Sequence, residues 1–337
     1  MTLNALMRAA DRVDAAQQRR SWLAFPFAVF KKFGDDRAGN LAALIAYYGF
    51  FSLFPLLLVL VTVVSMVIEG NAKLQETIIN SAVAQFPVVG DQIAKNVHAI
   101  SGSGVALAIG VLGALWGGLG VVQAGQNAMN AVWNVPYKDQ PNFWKSRLRS
   151  LILLVALGVF VLASSVLSGF GSAGGGNAAT HALAVVLSVL LNLAVFLAAF
   201  RILTAEDVTW GDVFPGAACG AVVWSALQYL GAYLVSHQLS KASAVYGVFA
   251  VVIGLLWWIY LGAQVALFSA EVNVVRKRRL WPRSMTQPPL TAADKRSLEE
   301  LAKEEERRPE QHVDVSFTDG STDDASKQGA PTEQGSR

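Results

Sequence analysis

The chain has 337 residues, 53% hydrophobic and only 15% charged, with a mean hydropathy of +0.42 and a formal net charge of +3. Soluble chains average about 25% charged residues, so this composition excludes an ordinary soluble globular protein. Residues 276–337 hold 12 of the 27 Lys+Arg and 12 of the 24 Asp+Glu, residues 1–40 hold 7 and 4, and the 235 residues between keep eight of each. That centre belongs in lipid, and the basic balance describes the flanks instead of a nucleic-acid surface. The single cysteine, Cys219, leaves no disulfide framework. Four scattered histidines (His98, His181, His237, His312) form no metal-ligand spacing with Cys, Asp or Glu.

Residues 1–20 are polar, with Leu3, Leu6 and Met7 at the spacing of a weak amphipathic helix. Residues 21–33 read SWLAFPFAVFKKF. Their aromatics beside Lys31 and Lys32 suit either a segment lying in the headgroup plane or a helix packed on the protein's own cytoplasmic side. Asp35, Asp36, Gly39 and Asn40 turn the chain into its first predicted span, 41–68, which contains no Asp, Glu, Lys, Arg or His. As a helix these 28 residues run about 42 Å, against a hydrocarbon core of about 30 Å. The stretch is too long for a signal-peptide core, and no small-residue cleavage site follows it. Pro55 inside it predicts a kink, with Ser52 one turn earlier satisfying a freed backbone group.

Residues 69–103 turn mixed. Leu74, Ile78, Ile79, Ala82, Val83 and Phe86 recur at helical spacing, Pro87 and Gly90 break the pattern, and Ile93, Val97 and Ile100 resume it. This predicts an amphipathic helical hairpin on the outer face of the bundle, as a structural cap or as a lid over a cavity. The second span is 104–122, where Gly113 and Gly117 favour close helix approach. Gln123, Gln126, Asn127 and Asn130 follow on one helical face at offsets 0, 3, 4 and 7, then Trp133 and a basic loop with Lys138, Lys145, Arg147 and Arg149. The third span is 151–170. The turn GSAGGG after it lacks the Gly-Lys-Ser/Thr and the strand of a phosphate loop. The fourth span, 182–203, carries Asn192 and ends at Arg201, before a short acidic loop. The fifth, 214–235, opens on Pro215 and carries Gly216 and Gly220. The sixth, 245–267, leads to Glu271, Asn273 and the run Arg276–Arg279.

The expected fold is thus an all-α integral membrane protein in three parts. A cytoplasmic segment with an interfacial helix covers 1–40, a six-span domain 41–275, and a mostly disordered cytoplasmic tail 276–337, with a helix around 291–308. Beyond Pro309 too little apolar surface is present to offset ordering entropy. Six spans put both ends on one side. That side carries 17 Lys/Arg near the spans and the other carries 3 (Lys73, Lys95, Lys241), so the positive-inside rule makes both termini cytoplasmic.

Polar side chains inside a bilayer are costly and face a cavity or one another. The candidate substrate-pathway residues are therefore Asn192, Gln228 and Gln264 within spans, with Gln123, Gln126, Asn127, Asn130 and Glu271 at the cytoplasmic boundary. A groove opened by the first helix at Pro55, lined by Tyr47, Tyr48 and Ser52, is expected to lie under the hairpin. The competing reading makes the amides simple helix cross-links and pairs Glu271 with a basic residue such as Arg276 or Arg201.

The run from Asn40 to Pro55 (NLAALIAYYGFFSLFP) resembles the opening signature of the YihY/BrkB family of bacterial inner-membrane proteins. The match continues at Trp210, Pro215-Gly216-Ala217, Ser243-Ala-Val-Tyr246-Gly247, residues 257–260 and Ala270-Glu271-Val-Asn273. The resemblance adds Tyr246 to the candidates and implies a six-helix inner-membrane protein with no settled activity. The family's labels include a tRNA-processing ribonuclease, ribonuclease BN, and a virulence or serum-resistance factor, and members have been linked to export of lipid-like envelope components.

A nuclease needs clustered carboxylates or histidines within reach of RNA. Here Glu69, Glu76, Asp91, Asp139, Glu206, Asp207, Asp212 and Glu271 fall on different loops, on both sides of the membrane in this topology. The ribonuclease label is therefore disfavoured, and no enzyme activity, cofactor or metal is expected. No nucleotide-binding motif, buried acidic proton relay or inverted repeat is evident. The expectation is transport or translocation of a lipid-like or amphipathic envelope substrate. The alternative is a non-transporting scaffold of an envelope complex. Expected partners are membrane lipids, envelope-complex proteins and further copies of this chain, and not nucleic acid.

Overall fold

The computed structural model describes residues 3–67, 104–173, 178–234 and 240–318, all helix, turn and coil. The helices are α1 (Leu3–Gln18), α2 (Ser21–Asp35), α3 (Ala38–Val67), α4 (Gly104–Val132), α5 (Phe143–Ala173), α6 (Ala178–Leu203), α7 (Trp210–Leu234), α8 (Ser240–Arg278) and α9 (Ala292–Glu304). The predicted hairpin at 69–103 lies outside the described residues. Apart from residues 68 and 235, which lie outside the described residues, each of the six predicted spans falls on one long helix, from α3 to α8. Stretches of α6 (Val185–Leu203), α7 (Trp210–Gly231) and α8 (Val252–Arg278) are long and apolar enough to cross a membrane. Only 11%, 33% and 28% of those stretches is buried within the protein, so most of their apolar surface needs a non-aqueous neighbour.

Several helices outrun the apolar windows that predict them. α4 continues to Val132, α5 begins at Phe143 and α8 runs on to Arg278. Hydropathy marks the stretch suited to lipid, whereas intrahelical hydrogen bonding continues until a turn stops it. Pro55 does not end α3, which is continuous from Ala38 to Val67. Ser52 does not reach the carbonyl of Phe51 that Pro55 would leave free. Its hydroxyl donates to Gly49 O at 3.0 Å.

Small residues set the helix approaches. A Cβ on Gly117 would lie 2.8 Å from Ser52 Cα, and one on Gly120 would lie 2.7 Å from the Tyr48 ring, so α3 and α4 meet almost backbone to backbone. Ala38, Ala42 and Ala46, at steps of four, bury the same helix. Gly216 and Gly220 of α7 seat Ser269 and Asn273 of α8, and the Asn273 Oδ1 accepts from Gly216 N at 2.6 Å. The close packing expected from Gly216 and Gly220 is thus present.

Among the described residues, Ala28 and Val29 (α2), Ala42 (α3), Val132 (α4) with Trp133 just after it, Phe200 (α6), Ala217 (α7) and Leu267, Ala270 and Val274 (α8) form one buried cluster. α2 lies against α8 through Ala24, Ala28, Val29 and Lys32, while Trp22 and Phe30 stay exposed on its other side. The chain beyond α8 completes this polar cap. Thr291 and Asp294 form a capping box that starts α9. Arg283, 1% exposed, donates to Asp294 and Asp35 at 2.8 Å each. Asp14 of α1 accepts from Met285 N (3.0 Å) and Ser284 Oγ (2.9 Å). Lys138 pairs with Glu306 at 2.6 Å. The helix expected around 291–308 is present as α9, and the order extends back through 279–290, which the expectation of a mostly disordered tail did not include. Apolar area is indeed scarce there, and buried ion pairs with donors from α1 and α2 order it instead.

Two predictions follow from this packing. Gly216→Ala places a Cβ 2.1 Å from Ser269 O and costs about 3 kcal/mol or more. Gly34→Ala meets nothing within 4 Å and stabilises by about 0.5–1 kcal/mol. Thermal unfolding in detergent separates the two. The second concerns acid. Burial alone raises the Asp294 and Asp14 carboxyls, but hydrogen bonds from Arg283, Lys31 and Ser284 N (Asp294), and from Met285 N and the Gln17, Gln18 and Ser284 side chains (Asp14), hold both far below the usual carboxylate range. Groups so depressed stabilise the fold above their ordinary value of about 4 and lose that stabilisation as pH falls further. Protease cleavage of 283–306 is expected to be slow at neutral pH, faster below about pH 4, and fast at neutral pH in Arg283→Ala, which loses about 3–5 kcal/mol.

Candidate functional site

The structure brings the four-residue amide stripe of α4 to one place. α5 runs beside it and presents Ser146 and Ser150, one helical turn apart. Gln126 Nε2 donates to Ser150 Oγ (2.8 Å) and to Ser146 O (3.1 Å), and its Oε1 accepts from Ser146 Oγ (2.8 Å). Gln123 Nε2 donates to Ser146 Oγ at 3.1 Å. Asn130 Oδ1 accepts from Ala205 N at 3.0 Å, which ties α4 to the loop after α6. Asn127 is exposed. The four amides and Ser146, together with Gln140, Pro141, Phe143 and Arg147, line an open cleft of about 320 Å³.

The predicted basic loop is largely helical. Lys145, Arg147 and Arg149 sit on the first two turns of α5. The Arg147 guanidinium lies over the Phe143 ring at 5.2 Å. From these two residues an exposed ridge continues at steps of four through Leu151, Val155 and Val159, flanked by Trp144, Leu148 and Ile152. A polar cleft with one cation at its mouth therefore opens directly onto an apolar helix face. A second open cavity of about 350 Å³ adjoins Arg201, Asp207, Val208, Thr209 and Trp210. There Arg201 stacks on Trp210 at 4.8 Å and donates to Val208 O.

The other candidates are dispersed. Tyr48 and Ser52 are packed onto Gly120 and Gly117 of α4, so that face of α3 is filled where the groove was expected. Tyr47 is exposed and stacks on Tyr48 (5.4 Å) and Phe51 (4.9 Å). Asn192 Nδ2 donates to Ser225 Oγ at 3.0 Å, a cross-link between α6 and α7. Gln264 Nε2 donates to Tyr260 Oη at 2.9 Å within α8. Gln228 is half-buried on α7. The side chains of Pro55 and Tyr246 lie outside the described residues.

Glu271 has a different partner from the ones expected. Neither Arg276 nor Arg201 pairs with it. Lys32 of α2 does, with Nζ 3.7 Å from Oε2, and both side chains are 0% exposed. The same ammonium lies 2.5 Å from Asp36 Oδ2 and donates to Val132 O at 3.0 Å. Burial alone pulls the Lys32 ammonium down, but the facing carboxylates of Glu271 and Asp36 carry it above its usual range. Beside them, burial pushes the Glu304 carboxyl up, and Asp36 adds to that. Asn134 Nδ2 donates to Glu304 at 3.2 Å, and Arg278 donates to Trp133 O (2.6 Å) and pairs with Glu206 and Glu300. Sequence reasoning missed Lys32 and Asp36. The signal was available: Lys32 continues the buried small-residue column Ala24–Ala28 at a step of four, and Asp36 lies four residues further on.

Removing the Gln126 side chain strands Ser150 and the buried hydrogen bonds around Ser146, and the expected loss for Gln126→Ala is about 1–3 kcal/mol. Asn127→Ala, at an exposed position, is expected to stay within about 0.5 kcal/mol of the parent. Chemical or thermal unfolding in detergent measures both.

A family model and several sequence relatives place the chain among known proteins. The family model described as "Virulence factor BrkB" matches residues 29–293. YfkH of Bacillus subtilis (strain 168), named as a ribonuclease-like protein, is 24% identical over 269 residues, 76% of this chain and 96% of its own length. The UPF0761 membrane protein Smlt0865 of Stenotrophomonas maltophilia (strain K279a) is 26% identical over 285 residues, 81% of this chain, which spans 64% of that relative's length. The UPF0761 membrane protein VV0203 of Vibrio vulnificus (strain YJ016) is 24% identical over 279 residues, 80% of this chain and 88% of its own. No solved structure matches. With its apolar helices and a family match that runs from α2 into the start of α9, the chain belongs to the BrkB family of membrane proteins.

Proposed function

We propose that the protein spans the bacterial inner membrane six times, with both termini cytoplasmic, and carries a lipid-like or amphipathic envelope substrate across it. The observation that supports this reading is the junction on α5. A cleft lined by amides, with Arg147 at its mouth, passes directly into the exposed ridge Leu151–Val155–Val159. A ligand with a polar or anionic head and an apolar tail matches that sequence of surfaces. Water-facing amides bind the head without a fixed charge, and Arg147 supplies one cation with planar donors suited to an oxyanion. In this reading Gln126 holds α4 to α5, while Asn127 and Arg147 meet the substrate. The amides are therefore both bracing and lining, on different residues. The proposal includes no enzyme activity. The ribonuclease-like name belongs to the Bacillus relative.

Transbilayer movement of labelled phospholipids in liposomes containing the purified protein tests the reading, beside empty liposomes. Movement is expected, and Asn127→Ala with Arg147→Gln is expected to slow it about tenfold or more while leaving the protein folded. Folded, inserted protein that moves no lipid overturns unaided carriage. Movement untouched by both substitutions places the path elsewhere. A scaffold predicts the opposite pattern, with loss of the tail felt and loss of Asn127 and Arg147 not felt.

A further inference from the structure

The polar cap holds one ammonium against two carboxylates in a place closed to bulk solvent. Lys32 and Glu271 are 0% exposed and the Asp36 side chain 1%. The Lys32 ammonium is committed to Asp36 Oδ2 and Val132 O, and it stands 3.7 Å from Glu271, too far to hydrogen-bond it. Both carboxyl oxygens of Glu271 and Oδ1 of Asp36 have no hydrogen-bond partner among the described residues. Yet the two carboxylates flank the same ammonium, with Asp36 Oδ2 at 2.5 Å and Glu271 Oε2 at 3.7 Å from Lys32 Nζ, which sets them side by side. Two ionised carboxylates have no hydrogen to place between them, and an uncompensated charge at full burial is strongly disfavoured.

The charged surroundings do not relieve the excess. From α2, Asp35 faces the site and is paired with Arg283. From α9, Glu300 and Glu304 face it. From α8, Arg278 is engaged by Glu300 and Glu206. The acidic groups around Lys32 thus come from α2 and its C-cap, α8 and α9.

We infer that Asp36 and Glu271 share one bound proton, so that the cap closes as a neutral set of Lys32 ammonium, one carboxylate and one carboxylic acid. The acid's O–H donates to the neighbouring carboxylate and satisfies the oxygens left open. The site is a proton-binding site assembled by α2 and α8 from residues 235 or more positions apart. It stands whether or not the protein carries lipid. Loss of the proton leaves two carboxylates facing a single ammonium, which only water entry or separation of α2 from α8 relieves.

Infrared spectroscopy of the full-length protein in detergent tests this at neutral pH. A protonated-carboxyl stretch that shifts in heavy water is expected in the parent. It is expected to vanish in Glu271→Gln and in Asp36→Asn, and to persist in Glu304→Gln. A neutral amide replaces a carboxylic acid with little change of shape, so Glu271→Gln is also expected to melt within about 3 °C of the parent. A parent with no such band, or a band indifferent to both Asp36→Asn and Glu271→Gln, overturns the inference. Failure of both amide variants to fold overturns it as well, since a shared proton makes a neutral side chain acceptable at either position.

Discussion

Burying Lys32 is the constraint on which the polar cap depends. Taking an ammonium fully out of water costs on the order of several kcal/mol, recovered only where carboxylates and carbonyls meet it in good geometry. Those groups come from Asp36 one turn on, Val132 at the end of α4 and Glu271 near the end of α8. Meeting the requirement fixes α2 across the end of the bundle. It also fixes where α4 and α8 must stop, so Trp133, Arg278 and α9 have a surface to close against. Apolar contacts add to it, since Val29 is buried with Ala24 and Ala28 on that side and Phe33 meets Phe268 of α8 at 5.7 Å.

Two regions of the described helices are thus held by different means. At the cap, ion pairs and short hydrogen bonds join elements distant in sequence. Along the apolar stretches, glycine and alanine columns let helices meet backbone to backbone, and much of the remaining surface faces outward. The amide stripe of α4 lies where the two regimes meet. Gln126 belongs to the bracing of α4 on α5, and Asn127, one residue further, faces the cleft.

What the sequence reveals follows the range of the interactions. The helices that hold the six apolar windows were legible because composition acts locally. So were the Gly216–Gly220 contact and the shared face of Gln123, Gln126, Asn127 and Asn130, because helical periodicity alone places those residues. The partner of Glu271 was not, since Arg276 and Arg201 are nearer or equally basic and nothing in one sequence favours Lys32. The helix around 291–308 was legible, but the clasp formed by 279–290 was hidden for the same reason: its donors and acceptors sit on α1 and α2. Tyr48 and Ser52 looked like a groove because their polarity was visible and the glycines opposite them were not yet paired with them.

The closing of the cap also orders events in time. Lys32 emerges from the ribosome about 240 residues before Glu271. At about 5–20 residues per second that interval is about 12–48 s. Throughout it, α2 carries an ammonium whose buried seat does not yet exist, so the segment stays at the water-exposed surface while the later helices are made. Arg283 and Asp294, the last parts to appear, then fasten α1 and α2 in place. A chain cut short before them retains every apolar stretch yet lacks the clasp, which gives the cell a direct chemical difference between a finished molecule and an unfinished one.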